Sequence, residues 1–122
     1  MIAALRNNVP SIDLTPGEQI RDFIYIDDVV NAYQTVIQKI SEVPNLYKSF
    51  QVSTKRLISI KELIIYLKEI TGSSTVLNFG AIPYRKNEIM HSTSDNSALL
   101  ALGWKPIINI EKGIQLILEI NK

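Results

Sequence analysis

The sequence predicts a small mixed α/β unit, about four helices with several short strands, and three observations carry that reading. Apolar residues recur at three- and four-residue spacing in separate stretches, each bounded by a capping residue, a glycine or a proline. Between them lie short β-rich runs at Asp22–Tyr25, Tyr47–Ser53 and Thr75–Phe79. The chain has 122 residues, 46% hydrophobic and 20% charged, which suits one globular domain spanning 1–122 or a substantial piece of one.

Taken in order, Ile2–Arg6 reads as the tail of a helix whose beginning is missing. Residues Asn7–Ile20 form a loop, with Pro16-Gly17 as its turn. The strand Asp22–Tyr25 follows, and Asp27 is placed as the N-cap of the next helix, its carboxylate accepting from unpaired amides. Val29, Val30, Tyr33, Val36, Ile37 and Ile40 then make one buried stripe, closed by Pro44 and Asn45. Tyr47–Ser53 is a strand whose apolar members are Phe50 and Val52.

Ser59–Thr71 is the clearest helix. Ser59 and Glu62 form a capping box, Ile60, Leu63, Ile64, Leu67 and Ile70 the buried face, and Gly72 a positive-φ stop. Gly80–Glu88 is an irregular loop centred on Pro83. Asp95 caps a short helix through Leu102, stopped by Gly103, and Asn109 caps the last, with Ile110, Ile114, Ile117 and Leu118 facing inward.

The charge and composition exclude several classes. A net charge of +1 gives no broad attraction for nucleic acid or acidic membranes, so any anion site must be local. The absence of cysteine removes disulfides and thiolate metal sites. The segment MIAALRNNVP is too short and polar for a secretory signal, and no apolar run approaches a membrane span, so a cytoplasmic protein is expected.

No catalytic or metal set emerges from the residues themselves. His91 is the single histidine, no G-x-S-x-G elbow is present, and no G-x-G-x-x-G opens a dinucleotide-binding turn. The chain therefore reads as one that binds rather than catalyses. Arg21 stands where a Gly/Pro loop meets an apolar run, and Arg85 stands in the Pro83 loop with Glu88 three residues on. A guanidinium grips phosphate through two parallel hydrogen bonds, and loops place it within a ligand's reach. The alternative is that both are surface arginines paired with Asp22 and Glu88.

The string Gly17-Glu18-Gln19-Ile20-Arg21-Asp22-Phe23-Ile24-Tyr25-Ile26-Asp27-Asp28-Val29 closely resembles a segment of the NAD-dependent epimerase/dehydratase family, the extended short-chain dehydrogenases. Phe50-Gln51-Val52 with Ile58–Leu63, the Pro83–Glu88 loop, Leu102-Gly103-Trp104-Lys105-Pro106 and Glu111–Ile114 resemble its later motifs, in order. The resemblance implies the C-terminal, nucleotide-sugar-binding part of such an enzyme. Arg21 and Arg85 would contact the nucleotide diphosphate, Glu88 a ribose or base-side group, and Gln19 would be a further contact from the same loop. Asp22 would steady the loop, and Trp104 and Pro106 would pack the C-terminal segment.

Two departures from the family stand out: Ser53-Thr54-Lys55 where a Gly-x-Gly is usual, and no Pro-Gly-Asp after Arg85. The family's Gly-rich cofactor turn and Tyr-x-x-x-Lys are not in these residues. No cofactor is thus expected on this segment, and NAD(P) is implied for the parent, an epimerase, dehydratase or keto-sugar reductase of deoxysugar or surface-polysaccharide synthesis. The partners implied are a nucleoside-diphosphate sugar and the missing N-terminal Rossmann domain. Self-association is expected through the apolar faces which that domain would cover. A stand-alone module that binds or self-associates without catalysis, and a degenerate fragment without a ligand, remain as alternatives.

Overall fold

A computed structural model describes residues 1–43 and 47–120. Its helices are α1 (Ile2–Arg6), α2 (Ile26–Gln38), α3 (Ile60–Thr71), α4 (Ser97–Ala101) and α5 (Ile110–Ile120), with a 3-10 turn at Ile40–Glu42. Its strands are β1 (Ser11–Leu14), β2 (Ile20–Asp22), β3 (Leu57–Ser59) and β4 (Val76–Phe79). The mixed α/β class is as expected. β1 pairs parallel with β4 in the register Ser11 with Val76 through Leu14 with Phe79, and β2 pairs with β3.

The chain divides into two compact units, Met1–Arg21 with Ile58–Ser92, and Asp22–Leu57 with Thr93–Lys122. In the first, α1 lies against α3, and Leu5, Ile64 and Leu67 are buried. Ser59 caps α3 as the sequence requires: its hydroxyl accepts from the Glu62 amide at 3.1 Å, and the Glu62 carboxylate accepts from the Ser59 amide at 2.8 Å. Bonding to Ser59 holds the Glu62 carboxyl below its ordinary range. Gly72 ends the helix at φ +62°, a left-handed conformation that costs glycine little.

The second unit is built on Ala32, Leu99 and Trp104, with Ile24, Val36, Phe50 and Val52 half-buried against them. The Trp104 indole donates to the Asp28 carbonyl at 3.1 Å, so its large apolar body is buried with the N–H satisfied. Asn109 caps α5, accepting from the Lys112 amide at 2.8 Å.

Several expectations are corrected. The loop expected over Asn7–Ile20 contains β1, because parallel pairing with β4 gives its backbone partners a loop would lack. The strand expected at Asp22–Tyr25 lies earlier, at Ile20–Asp22. Asp27 is not the N-cap of α2: Tyr25 holds that position without a side-chain cap, and Asp27 and Asp28 sit in the first turn. Asn96, not Asp95, is the N-cap of α4, while Asp95 accepts from the Ser97 amide and hydroxyl just before it.

The expected buried stripe is largely exposed: Val30, Tyr33 and Ile37 of α2 and Ile40 of the 3-10 turn are exposed, while Val29 and Val36 are half-buried and the buried residues of α2 are Asp28 and Ala32. Residues 47–53 form no strand, contrary to expectation, although Phe50 and Val52 do pack on the core. Ile117 is exposed rather than inward, whereas Ile114 is buried. The closure assigned to Pro44 and Asn45 lies outside the described residues. No helix among the described residues is long and apolar enough to cross a membrane.

Candidate functional site

Two loops of the first unit form the candidate site. The first, leading from β1 to Arg21, is fixed by its backbone. Gly17 adopts φ +78°, its carbonyl accepts from the Lys61 amide at 2.8 Å, and a Cβ there would meet the Lys61 Cβ at 2.9 Å. Glycine is required for both the angle and the approach. The Gln19 carbonyl then accepts from the Ile60 amide at 3.0 Å. Ile20 donates to the Met90 carbonyl at 2.7 Å and accepts from the Ser92 amide at 3.2 Å. This parallel bridge opposite His91 gives that histidine a backbone role, and its side chain is exposed.

The second loop runs from β4 to that bridge. Its start is held by the Leu14 carbonyl, which accepts from the Gly80 and Ile82 amides at 2.9 and 3.1 Å. Three side-chain ties join it to the first loop. The Tyr84 hydroxyl accepts from the Glu18 amide at 2.9 Å and donates to the Glu18 carboxylate at 3.2 Å. The Gln19 carboxamide donates to Glu88 Oε1 at 3.3 Å, and Arg21 Nη2 approaches the same oxygen at 3.4 Å.

Between the loops lies an open cavity of about 470 Å³ lined by Arg21, Arg85, Lys86, Asn87, Glu88 and Ile89. Three formal positive charges face one carboxylate there, although the whole chain carries only +1. Arg21 donates through Nη1 to the Ile20 carbonyl at 2.9 Å and is oriented by Glu88, with its Nε–H among the donors left over. Arg85 is exposed, and its guanidinium has no hydrogen-bond or ion-pair partner among the described residues.

The ion pairs weighed on sequence grounds are therefore not those that form. Glu88 pairs with Arg21 across 67 positions, not with Arg85, and Asp22 pairs with neither arginine. Of the four candidates, Arg21, Arg85 and Glu88 share the cavity. Gln19 stands behind Glu88, 7% exposed, and does not line it. Sequence reasoning missed Tyr84, Lys86 and Asn87. The tyrosine's tie to Glu18 spans 66 positions and leaves no local spacing signal.

Asp22, which follows Arg21, serves the second unit. Its carboxylate accepts from the Ser53 and Thr54 hydroxyls and from the Thr54 and Lys55 amides, the latter two at 3.1 Å. Burial opposes its charge, but these bonds outweigh it and hold the Asp22 carboxyl below its ordinary value. Lys55 at φ +62° turns the chain so that successive amides converge on the carboxylate. Ser53-Thr54-Lys55, which stands where the resemblance implied a Gly-x-Gly, thus gathers around the protein's own carboxylate. Among the described residues, no group of three or more His, Asp or Glu is placed to hold a metal ion.

The sequence model of the NAD dependent epimerase/dehydratase family matches residues 1–52. CDP-abequose synthase of Salmonella typhimurium is 45% identical over 121 residues, covering 98% of this chain and 40% of that protein. Human dTDP-D-glucose 4,6-dehydratase is 31% identical, covering 97% of this chain and 34% of its own. The chain thus spans about two fifths or less of the curated relatives it matches. Among solved structures, UDP-glucose 4-epimerase of Thermotoga maritima with UDP-glucose superposes with a TM-score of 0.77 at 28% identity, covering 97% of this chain and 36% of that one. A GDP-6-OMe-4-keto-L-xylo-heptose reductase from C. jejuni gives 0.78 at 27%, covering 92% and 34%.

Proposed function

Because this chain belongs to the NAD-dependent epimerase/dehydratase family, we propose that it holds the nucleoside diphosphate of a nucleotide sugar, within an NAD(P)-dependent epimerase, dehydratase or keto-sugar reductase. The observation that carries this reading is the cationic cavity between the two loops. Arg21 and Arg85 supply guanidinium donors to the diphosphate, and Glu88 Oε2, which has no partner among the described residues, accepts from a ligand hydroxyl. The 45% identity to CDP-abequose synthase supports a cytidine diphosphate sugar, and with it deoxysugar or surface-polysaccharide synthesis.

In this reading the segment supplies binding energy remote from the reacting carbon and converts it into orientation of the sugar. NAD(P) belongs to a cofactor-binding half, since the Gly-rich turn that a dinucleotide needs is not among these 122 residues. The outward apolar face of α2 and the 3-10 turn after it supports the involvement of further polypeptide: Ile26, Val30, Tyr33, Ile37 and Ile40 are each roughly half exposed or more. That face suits the cofactor-binding half, or a second copy of this chain when that half is lacking.

Amide NMR titration with CDP, UDP and dTDP at millimolar concentration tests the binding claim. Shifts confined to residues 15–21 and 80–90 are expected, with CDP causing the largest. Arg21→Ala and Arg85→Ala should each weaken binding about tenfold or more, as loss of a charge-assisted pair implies. Equal affinity in the wild type and both variants overturns the reading.

A further inference from the structure

We propose that Gln19 is a positioning residue, locking the Glu88 carboxylate away from Arg85 and Lys86, with a buried water donating to its own Oε1. Gln19 is 7% exposed and is not part of the cavity lining, so it does not meet a ligand there. Its backbone is pinned by the Ile60 amide, and the next residue by Met90 and Ser92, so the side chain cannot relax by moving its loop. Its Nε2 donates to Glu88 Oε1. That bond fixes which way round the amide lies, because the reverse orientation sets a carbonyl against a carboxylate.

The consequence is an orphan. Gln19 Oε1 is fully buried and has no donor among the described residues. A buried acceptor in a polar pocket is ordinarily met by an ordered water, which supplies the donor that those residues do not. The lock has a purpose that follows from charge. Glu88 Oε1 receives Gln19 and Arg21 together, which holds the carboxylate on the Arg21 side of the cavity. Without the neutral donor, Glu88 is free to swing to Arg85 or Lys86, cancelling the charge that a diphosphate needs.

The affinity part rests on the proposed diphosphate site; the lock itself does not, and a donor–acceptor exchange tests it without ligand. Gln19→Glu places two carboxylates together and is expected to lower the urea midpoint. Glu88→Gln removes the acceptor charge. The double variant Q19E/E88Q reverses the roles, the new amide at position 88 donating to the new carboxylate at position 19. It is expected to recover at least half of the Q19E loss. If Q19E does not fold, refolding by E88Q in the same chain counts as that recovery.

Additive losses, or a double variant as damaged as Q19E, overturn the lock. A high-resolution crystal structure with no water on Gln19 Oε1 overturns the water assignment. Gln19→Met, of similar volume but without a donor, should weaken CDP about fivefold while leaving Arg21 in place. Unchanged CDP affinity in Q19M would show that the lock does not serve the ligand. If the wild type binds no diphosphate at all, the exchange still decides the lock, and the failure then belongs to the binding site alone.

Discussion

Asp27 and Asp28 are adjacent carboxylates in the first turn of one helix, with opposite environments. Asp27 is exposed, with no side-chain hydrogen bond or ion pair among the described residues, and a carboxylate in the first turn of a helix gains only a weak, screened dipole effect. Asp28 is 1% exposed, and its carboxylate accepts from the Ile107 amide at 3.1 Å and the Ile108 amide at 2.9 Å. It ties α2 to the segment entering α5 across about 80 positions, beside the Trp104 bond to its carbonyl. Asp28→Ala leaves two amides unpaired and a buried void, and should cost about 3 kcal/mol in urea unfolding, against about 0.5 for Asp27→Ala. Similar losses for the two would show that the buried acceptor is not what matters. Asp22 gives the acid response. Its folded carboxyl is held low, so its contribution is fully present above the unfolded value, about 3.9, and is lost as pH falls through the depressed one. Its share of the stability should be lost as pH falls below about 4, and Asp22→Asn should make the acid slope of the urea midpoints shallower.

At the scale of elements, the loop from β1 to β2 depends on one residue without a side chain. Gly17→Ala forces a Cβ to 2.9 Å from the Lys61 Cβ and 3.1 Å from its backbone, at a φ unfavourable to alanine. The expected outcome is a loss of about 2 kcal/mol and displacement of residues 17–21, visible as amide shifts at Arg21. A variant as stable as the wild type, with Arg21 unmoved, would contradict the packing account. The turn expected at Pro16-Gly17 is not formed, although Gly17 does take a positive φ of +78°. The capping box of α3, the cap of α5 and the positive-φ stop at Gly72 were legible, each written within a few positions of its effect. β1 was not, because Ser11–Leu14 becomes a strand only through its pairing with Val76–Phe79, about 65 residues away. The partner of Arg21 was not legible, since Glu88 is distant in sequence and Arg85 stood nearer to it.

At the scale of the molecule, the inward face of α2 was the clearest failure of periodicity, and the reason is physical. α2 has two apolar sides: Ala32 and Val36 face the core, while Ile26, Val30, Tyr33 and Ile37, continued by Ile40 of the 3-10 turn, follow four- and three-residue steps along the outside. Periodicity detects apolar stripes but does not say which of two is covered within the same chain. The outer stripe has the spacing of a helix-packing seam, with Asp27 and Gln34 beside it and no run of like charge to repel a partner. Large contiguous apolar patches are uncommon on a soluble monomer. Alone, this chain should therefore self-associate with rising concentration in light scattering. Tyr33→Glu with Ile37→Glu should return it to the monomer at nearly unchanged thermal stability, because exposed side chains contribute little to folding. The paired control is Ala32→Glu on the core face, which should unfold the second unit at any concentration. A wild-type chain that stays monomeric throughout the series would mean that water covers the seam, and would remove the support it lends to a further polypeptide.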